Sequence, residues 1–105
     1  FQYKNIIIFA AGQAGRELFF KITYDTRSRV VGWTDINYQE LQAEGLPVIS
    51  PQEAFKCDFD GLVIAVKNNN SCNLIKELLV SRGINEQKIL SYSEFYSLSN
   101  NKSGR

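Results

Sequence analysis

Histidine and methionine are both absent from this 105-residue chain, and it holds only two cysteines and two prolines. Without histidine there is no imidazole to act as a general base near neutral pH. Every Ser-His-Asp or Cys-His arrangement is therefore excluded, together with the histidine-bearing zinc sites. Cys57 and Cys72 lack C-x-x-C spacing and read as small hydrophobes of a reduced, cytoplasmic protein, with no disulfide expected. The apolar runs stop far short of the ~20 residues that span a bilayer, so no membrane contact by this segment is expected. A basic stripe is missing too. Twelve basic and eleven acidic residues spread along the chain leave a net charge of +1, which argues against nucleic acid as a partner. Methionine is lacking even at position 1, which suggests a segment cut from a larger chain.

What is present is the composition of an ordinary globular domain, 44% hydrophobic and 22% charged. Its organising stretch runs from Lys4 to Asp35. Asn5-Ile6-Ile7-Ile8-Phe9-Ala10-Ala11 reads as a buried strand, because apolar residues follow one another without the alternation of a half-solvated one. Gly12-Gln13-Ala14-Gly15 then makes a turn into a helix whose inner face carries Ala14, Leu18 and Ile22. A helix that buries Leu18 points Phe20, two positions or about 200° away, outward. Val30-Val31-Gly32-Trp33 forms a second strand and delivers Asp35, 20 residues beyond Gly15. At that spacing a dinucleotide-binding unit sets an acidic side chain on a ribose hydroxyl. Gly12 lets the backbone approach a pyrophosphate, and the free amides of the helix start favour an anion. Ala10 stands where the first glycine of G-x-G-x-x-G would be. A positive φ there would cost an alanine about 1–2 kcal/mol.

Further along, Asp25-Thr26-Arg27-Ser28 is a polar link, and Ile36 to Gly45 suits a loop or a short helical turn. Leu46-Pro47-Val48-Ile49 reads as a short edge strand, since its proline cannot donate to a ladder. Ser50-Pro51-Gln52-Glu53 announces a brief helix with a capping box. Gly61-Leu62-Val63-Ile64-Ala65-Val66 is a second buried strand, followed by a helix with Leu74, Ile75, Leu78 and Leu79 on one face and Gly83 at its end. Lys88 to Ser91 is a last strand, and Ser91 with Glu94 caps a final helical turn through Phe95 and Leu98.

Strands alternating with helices predict an α/β fold: a three-layer, Rossmann-like domain over residues 1–99, with a parallel five-stranded sheet and helices on both faces. Residues 100–105 form a polar tail that frays or leads to a further domain. With the five strands ordered 3-2-1-4-5, a crevice opens between the first and fourth, where connections leave in opposite directions. Its expected ligand contacts are Gly12, Gln13, Ala14, Gly15 and Asp35 on one side and Lys67 and Asn68 on the other. Lys67 would add a charge to a phosphate. The competing reading of Lys67 to Asn70 is plain turn chemistry after a strand. Asp35 favours a free ribose diol over a 2′-phosphate, hence NAD over NADP.

These stretches, from Lys4 to Leu18 with Val30 to Asp35, Gly45-Leu46-Pro47-Val48 and Asp60 to Val66, resemble the small Rossmann domains of bacterial capsule and surface-polysaccharide biosynthesis. The resemblance is to the N-terminal domain of nucleotide-sugar dehydratases and epimerases, and to the UDP-sugar-binding domain of amino-sugar acetyltransferases. It implies NAD or a UDP-sugar as ligand, contacted at Gly12, Gln13, Ala14, Gly15 and Asp35. Similar domains are attached to sugar transferases and methyltransferases.

No catalytic constellation accompanies these residues. No tyrosine has a lysine four positions later, and no two acidic or basic groups are placed by a motif to share a proton. Whether the chain is an enzyme stays open. The expected function is a nucleotide-binding module whose parent chain, a dehydratase, epimerase or transferase, supplies the chemistry in the cytoplasm or at the inner face of the membrane. The alternative is a ligand-free interaction domain. Expected partners are a small nucleotide ligand, other domains of the parent chain, and a second copy through Phe20 and Tyr24.

Overall fold

The computed structural model describes residues 4–24 and 27–103, the last five of these as backbone only. Asp25 and Thr26 of the expected link, and 104–105 of the expected tail, lie outside the described residues.

Four parallel strands form one sheet, β1 (Asn5–Phe9), β2 (Arg29–Thr34), β3 (Gly61–Ile64) and β4 (Ile89–Ser91), in the order β2-β1-β3-β4. Helices α1 (Gln13–Thr23), α2 (Tyr38–Ala43), α3 (Pro51–Lys56), α4 (Asn69–Ser81) and α5 (Tyr92–Ser103) connect and flank them. Successive side chains of a strand point to opposite faces, and β1 divides the core accordingly. Ile6 and Ile8 pack with Leu18 and Ile22 of α1 and Phe95 of α5, while Ile7 and Phe9 pack with Ala54 of α3 and Cys72 and Leu79 of α4. The strands are apolar throughout because both faces are covered.

The expected third strand is not formed. Leu46 to Ile49 contributes one isolated bridge, Ile49 to Thr34, whose Ile49 amide donates to the Trp33 carbonyl at 2.8 Å. Pro47 has no amide to continue a ladder, and Leu46 and Val48 turn onto the α1 side of the core instead. A second difference lies in β2. Its pairing with β1 slips between Ile6↔Val30 and Ile7↔Gly32, leaving Val31 as a bulge. In a regular strand Val30 and Trp33, three apart, would face opposite layers. The bulge turns both to the α1 side, with Val31 on the other face against α3 and α4.

The local signals at the helix ends hold. Ser50 and Glu53 form the capping box of α3, Ser91 and Glu94 make the same reciprocal pair at α5, and Gly83, at φ +95°, ends α4. There the amides of Gly83 and Ile84 reach back to the Val80 and Leu79 carbonyls. Of the two alternatives for Ile36 to Gly45, the helical one is formed, as the six-residue α2. Two expectations are corrected. The inner face of α4 is Cys72, Ile75 and Leu79, whereas Leu74 is 66% and Leu78 40% exposed. Helix α5 runs on to Ser103, through residues read as tail.

Leu18 has no exposed surface, while Phe20 is 60% and Tyr24 83% exposed, as the helical spacing requires. In urea denaturation Leu18→Ala is expected to cost about 2–5 kcal/mol, and Phe20→Ala to stay within ~0.5 kcal/mol.

Candidate functional site

At the end of β1 the backbone turns through Ala10, whose φ is +103°. An alanine stays in that region only where its surroundings over-determine it, and here four hydrogen bonds do so. The Ala10 amide donates to the Thr34 carbonyl at 2.8 Å, and the Ala10 carbonyl accepts from the Trp33 indole at 3.0 Å. The Ala11 amide donates to Asp35 Oδ2 at 2.7 Å, and the Ala11 carbonyl accepts from Arg16 Nε at 3.2 Å. Trp33 reaches Ala10 because the β2 bulge turns it to this side. The last element of the turn is Gly15: a Cβ there would lie 2.1 Å from the Ala10 carbonyl oxygen. Helix α1 seats against that carbonyl only because residue 15 has no side chain.

Gly12, the N-cap of α1, is a different case. Its φ of −76° and ψ of −163° suit any residue, it makes no side-chain cap, and a Cβ added to it would meet nothing within 4 Å. The first intrahelical bond runs from Arg16 to the Gly12 carbonyl at 3.0 Å, so the amides of Gln13, Ala14 and Gly15 have no partner within the helix. They lie at the positive end of an 11-residue helix, where Gly12 and Gln13 are exposed, Ala14 is half-buried and Gly15 is buried.

Asp35 is bonded into this turn. Besides Ala11, its Oδ1 accepts from the Asn37 amide at 2.8 Å, so the carboxylate joins the end of β2 to the end of β1. Each oxygen keeps a lone pair for a hydroxyl donor. Next to it, Ile36 is 67% exposed and lines a cleft of about 230 Å³ with Phe9, Pro51, Phe55, Leu78 and Arg82.

The opposite wall follows β3. Phe9 pairs with Ile64, and the Ala65 amide donates to the Phe9 carbonyl at 2.9 Å. Lys67 therefore stands three residues past the last pair, as Gly12 does on β1. Asn68 is spent as the N-cap of α4, its Oδ1 accepting from the Ser71 amide at 3.0 Å. Lys67 lies over the ring of Tyr92, 5.8 Å from its centroid. Tyr92 and Tyr96, one turn apart on α5, have ring centroids 4.7 Å apart, and Lys21 of α1 sits 5.0 Å from the Tyr96 centroid. Glu17 accepts from Gln13 at 3.4 Å, and no Glu17–Lys21 ion pair forms among the described residues, against the four-residue spacing. Burial, with the hydrogen bond to Tyr92 and the nearby negative charge of Glu17, pushes the Tyr96 phenol up to about 12.

Of the expected ligand contacts, Gly12 to Gly15 and Asp35 gather at the end of β1 and Lys67 follows the end of the adjacent β3, while the Asn68 oxygen is turned into α4. Sequence reasoning missed Arg16, Trp33, Tyr92 and Tyr96. The spacing of Tyr92 and Tyr96 was visible, but their nearness to α1 comes only from α5 crossing the sheet. Among the described residues no group of three or more His, Cys, Asp or Glu could hold a metal ion, and no helix is long and apolar enough to cross a membrane.

Parallel strands with helices on both faces and connections diverging between β1 and β3 define an α/β domain with a topological switch point there, the place where sheets of this kind open a crevice. Residues 2–90 match the family described as C2185-like, N-terminal, and the chain belongs to that family. No curated protein and no solved structure matches it.

Gly15→Ala is expected to lose about 1–3 kcal/mol or more through overpacking, and Gly12→Ala no more than ~1 kcal/mol, by thermal or urea unfolding. In an alkaline absorbance titration a late step near pH 12 is expected from Tyr96. The unfolded chain releases that proton near 10, so stability present below pH 10 is lost as pH rises toward 12. Tyr96→Phe removes the late step.

Proposed function

We propose that this is a nucleotide-binding module, for NAD or a nucleotide sugar, of a larger bacterial polysaccharide-biosynthesis protein in the cytoplasm, with the chemistry supplied by another domain. One observation carries the reading. Neither backbone conformation nor internal space calls for a glycine at position 12, yet the residue there leaves the mouth of the turn bare beside a helix start that no side chain caps. A bare backbone facing outward beside a helix start is what a diphosphate needs for close approach. Asp35 lies next to that mouth, bonded to Ala11, where it can accept from a ribose hydroxyl. The apolar cleft beyond Ile36 is of a size for a nucleobase, with Arg82 at its rim. The family description, an N-terminal domain, agrees with a module.

A second reading has its own support in the exposed aromatics of α1. Phe20 and Tyr24, on the face away from the sheet, suit contact with a second copy or with other domains of the parent chain. The two surfaces are compatible with one domain.

Calorimetry with NAD, NADP, UDP-sugars and coenzyme A decides the first reading. Binding of NAD or a UDP-sugar is expected, and Gly12→Val is expected to abolish it while the protein keeps its fold. Failure of all four ligands at millimolar concentration, or unchanged affinity in Gly12→Val, removes the reading. For the second, Phe20→Glu is expected to break a dimer seen by sedimentation without altering ligand binding.

A further inference from the structure

On the α1 side of the switch point stand side chains that a diphosphate on the Gly12 turn would leave unused. Three elements meet there: α1 with Gln13, Glu17 and Lys21, the segment after β3 with Lys67, and α5 with Tyr92 and Tyr96. Lys21 over Tyr96 joins α1 to α5 and Lys67 over Tyr92 joins the segment after β3 to α5, while Gln13 donates to Glu17 within α1. A ligand with its inner phosphate on the Gly12 turn and its nucleoside toward Asp35 carries whatever hangs on the outer phosphate toward this wall.

We infer that the wall of Glu17, Lys67 and Tyr92 receives a sugar on that outer phosphate, so that the ligand is a nucleoside diphosphate sugar and not a dinucleotide. The inference rests on the nucleotide reading above and narrows it. Two features decide between the candidates. An oxidised nicotinamide is a flat cation, and a planar ring held between two aromatic faces needs them about 7 Å apart, twice the ~3.5 Å contact distance of carbon atoms. The Tyr92 and Tyr96 rings are 4.7 Å apart and inclined at 49°, which leaves no such slot. Lys67 and Lys21 on the same wall would repel a cationic ring, whereas they attract phosphate. A hexose is uncharged, and its hydroxyls both donate and accept. Glu17 supplies an acceptor, Lys67 a donor, and the Tyr92 phenol either. The Tyr96 ring, 4.7 Å from that of Tyr92, packs against it and restricts where the Tyr92 phenol can lie.

Matched ligand pairs test this by calorimetry on the full chain: UDP with UDP-glucose, GDP with GDP-mannose, ADP with ADP-glucose, and NAD beside them. For the base the protein accepts, the sugar ester is expected to bind at least about tenfold tighter than its diphosphate, the effect of about one hydrogen bond to a charged group, and tighter than NAD. Tyr92→Phe and Glu17→Gln are each expected to bring that ratio toward one, and Lys56→Ala, on the opposite face, to leave it. Glu17 is exposed, so Glu17→Gln folds even where Tyr92→Phe does not. A diphosphate that binds as tightly as its sugar ester, a preference for NAD, or a ratio unmoved in Glu17→Gln overturns this assignment and leaves the nucleotide reading standing. Binding by none of the nucleotides overturns both.

Discussion

Helix α1 rests on the carbonyl of Ala10, and that contact fixes the rest of the molecule. A side chain at residue 15 would overlap the carbonyl oxygen, so the helix could not come this close to the end of β1. With the helix seated, Leu18 and Ile22 reach the face of the sheet formed by Ile6, Ile8 and Val63, and the first crossover closes. The same approach holds Ala10 at positive φ, since its carbonyl is pinned between α1 and the Trp33 indole. Close packing and backbone strain are thus one arrangement, in which burial of the α1 face offsets the strain of the turn.

The turn is satisfied on its inner side and open on its outer side. Thr34, Trp33, Asp35 and Arg16 occupy the polar groups of Ala10 and Ala11. What remains are amides at a helix start, which no neighbouring side chain caps. Such donors attract an anion without any basic residue. Arg16 turns back to the Ala11 carbonyl and approaches Glu44 at 3.9 Å, so its charge supports the turn from behind.

The alternation of strands and helices, the capping boxes at Ser50 and Ser91 and the stop at Gly83 were legible because each depends on residues within a few positions of one another. Phe20's exposure was legible for the same reason, as it follows from helical spacing once Leu18 is buried. The third strand was misread because alternation and length speak for a strand at Leu46 to Ile49, while pairing requires donors that Pro47 lacks. Helix α4 was misread by one position. Four leucine and isoleucine residues outweighed Cys72, a smaller residue that lies on the buried stripe with Ile75 and Leu79. In the candidate site the glycines and Asp35 were visible as spacing, but the bond from Ala11 to Asp35 was not.

The order of elements, both apolar faces of β1 and the glycine-bearing turn follow from the residues alone, because these rest on local backbone preference and on periodicity. Only the tertiary structure decided which way Trp33 points, since a one-residue bulge in β2 reverses a side chain. The meeting of Tyr92 and Tyr96 with Glu17, Lys21 and Lys67 is likewise tertiary. Those residues lie on three elements far apart in the chain, and nothing local to any of them encodes the other two. They come together because α5 has to cover the same face of the sheet that α1 leaves half open, and a hydrophobic face left in water would destabilise the fold.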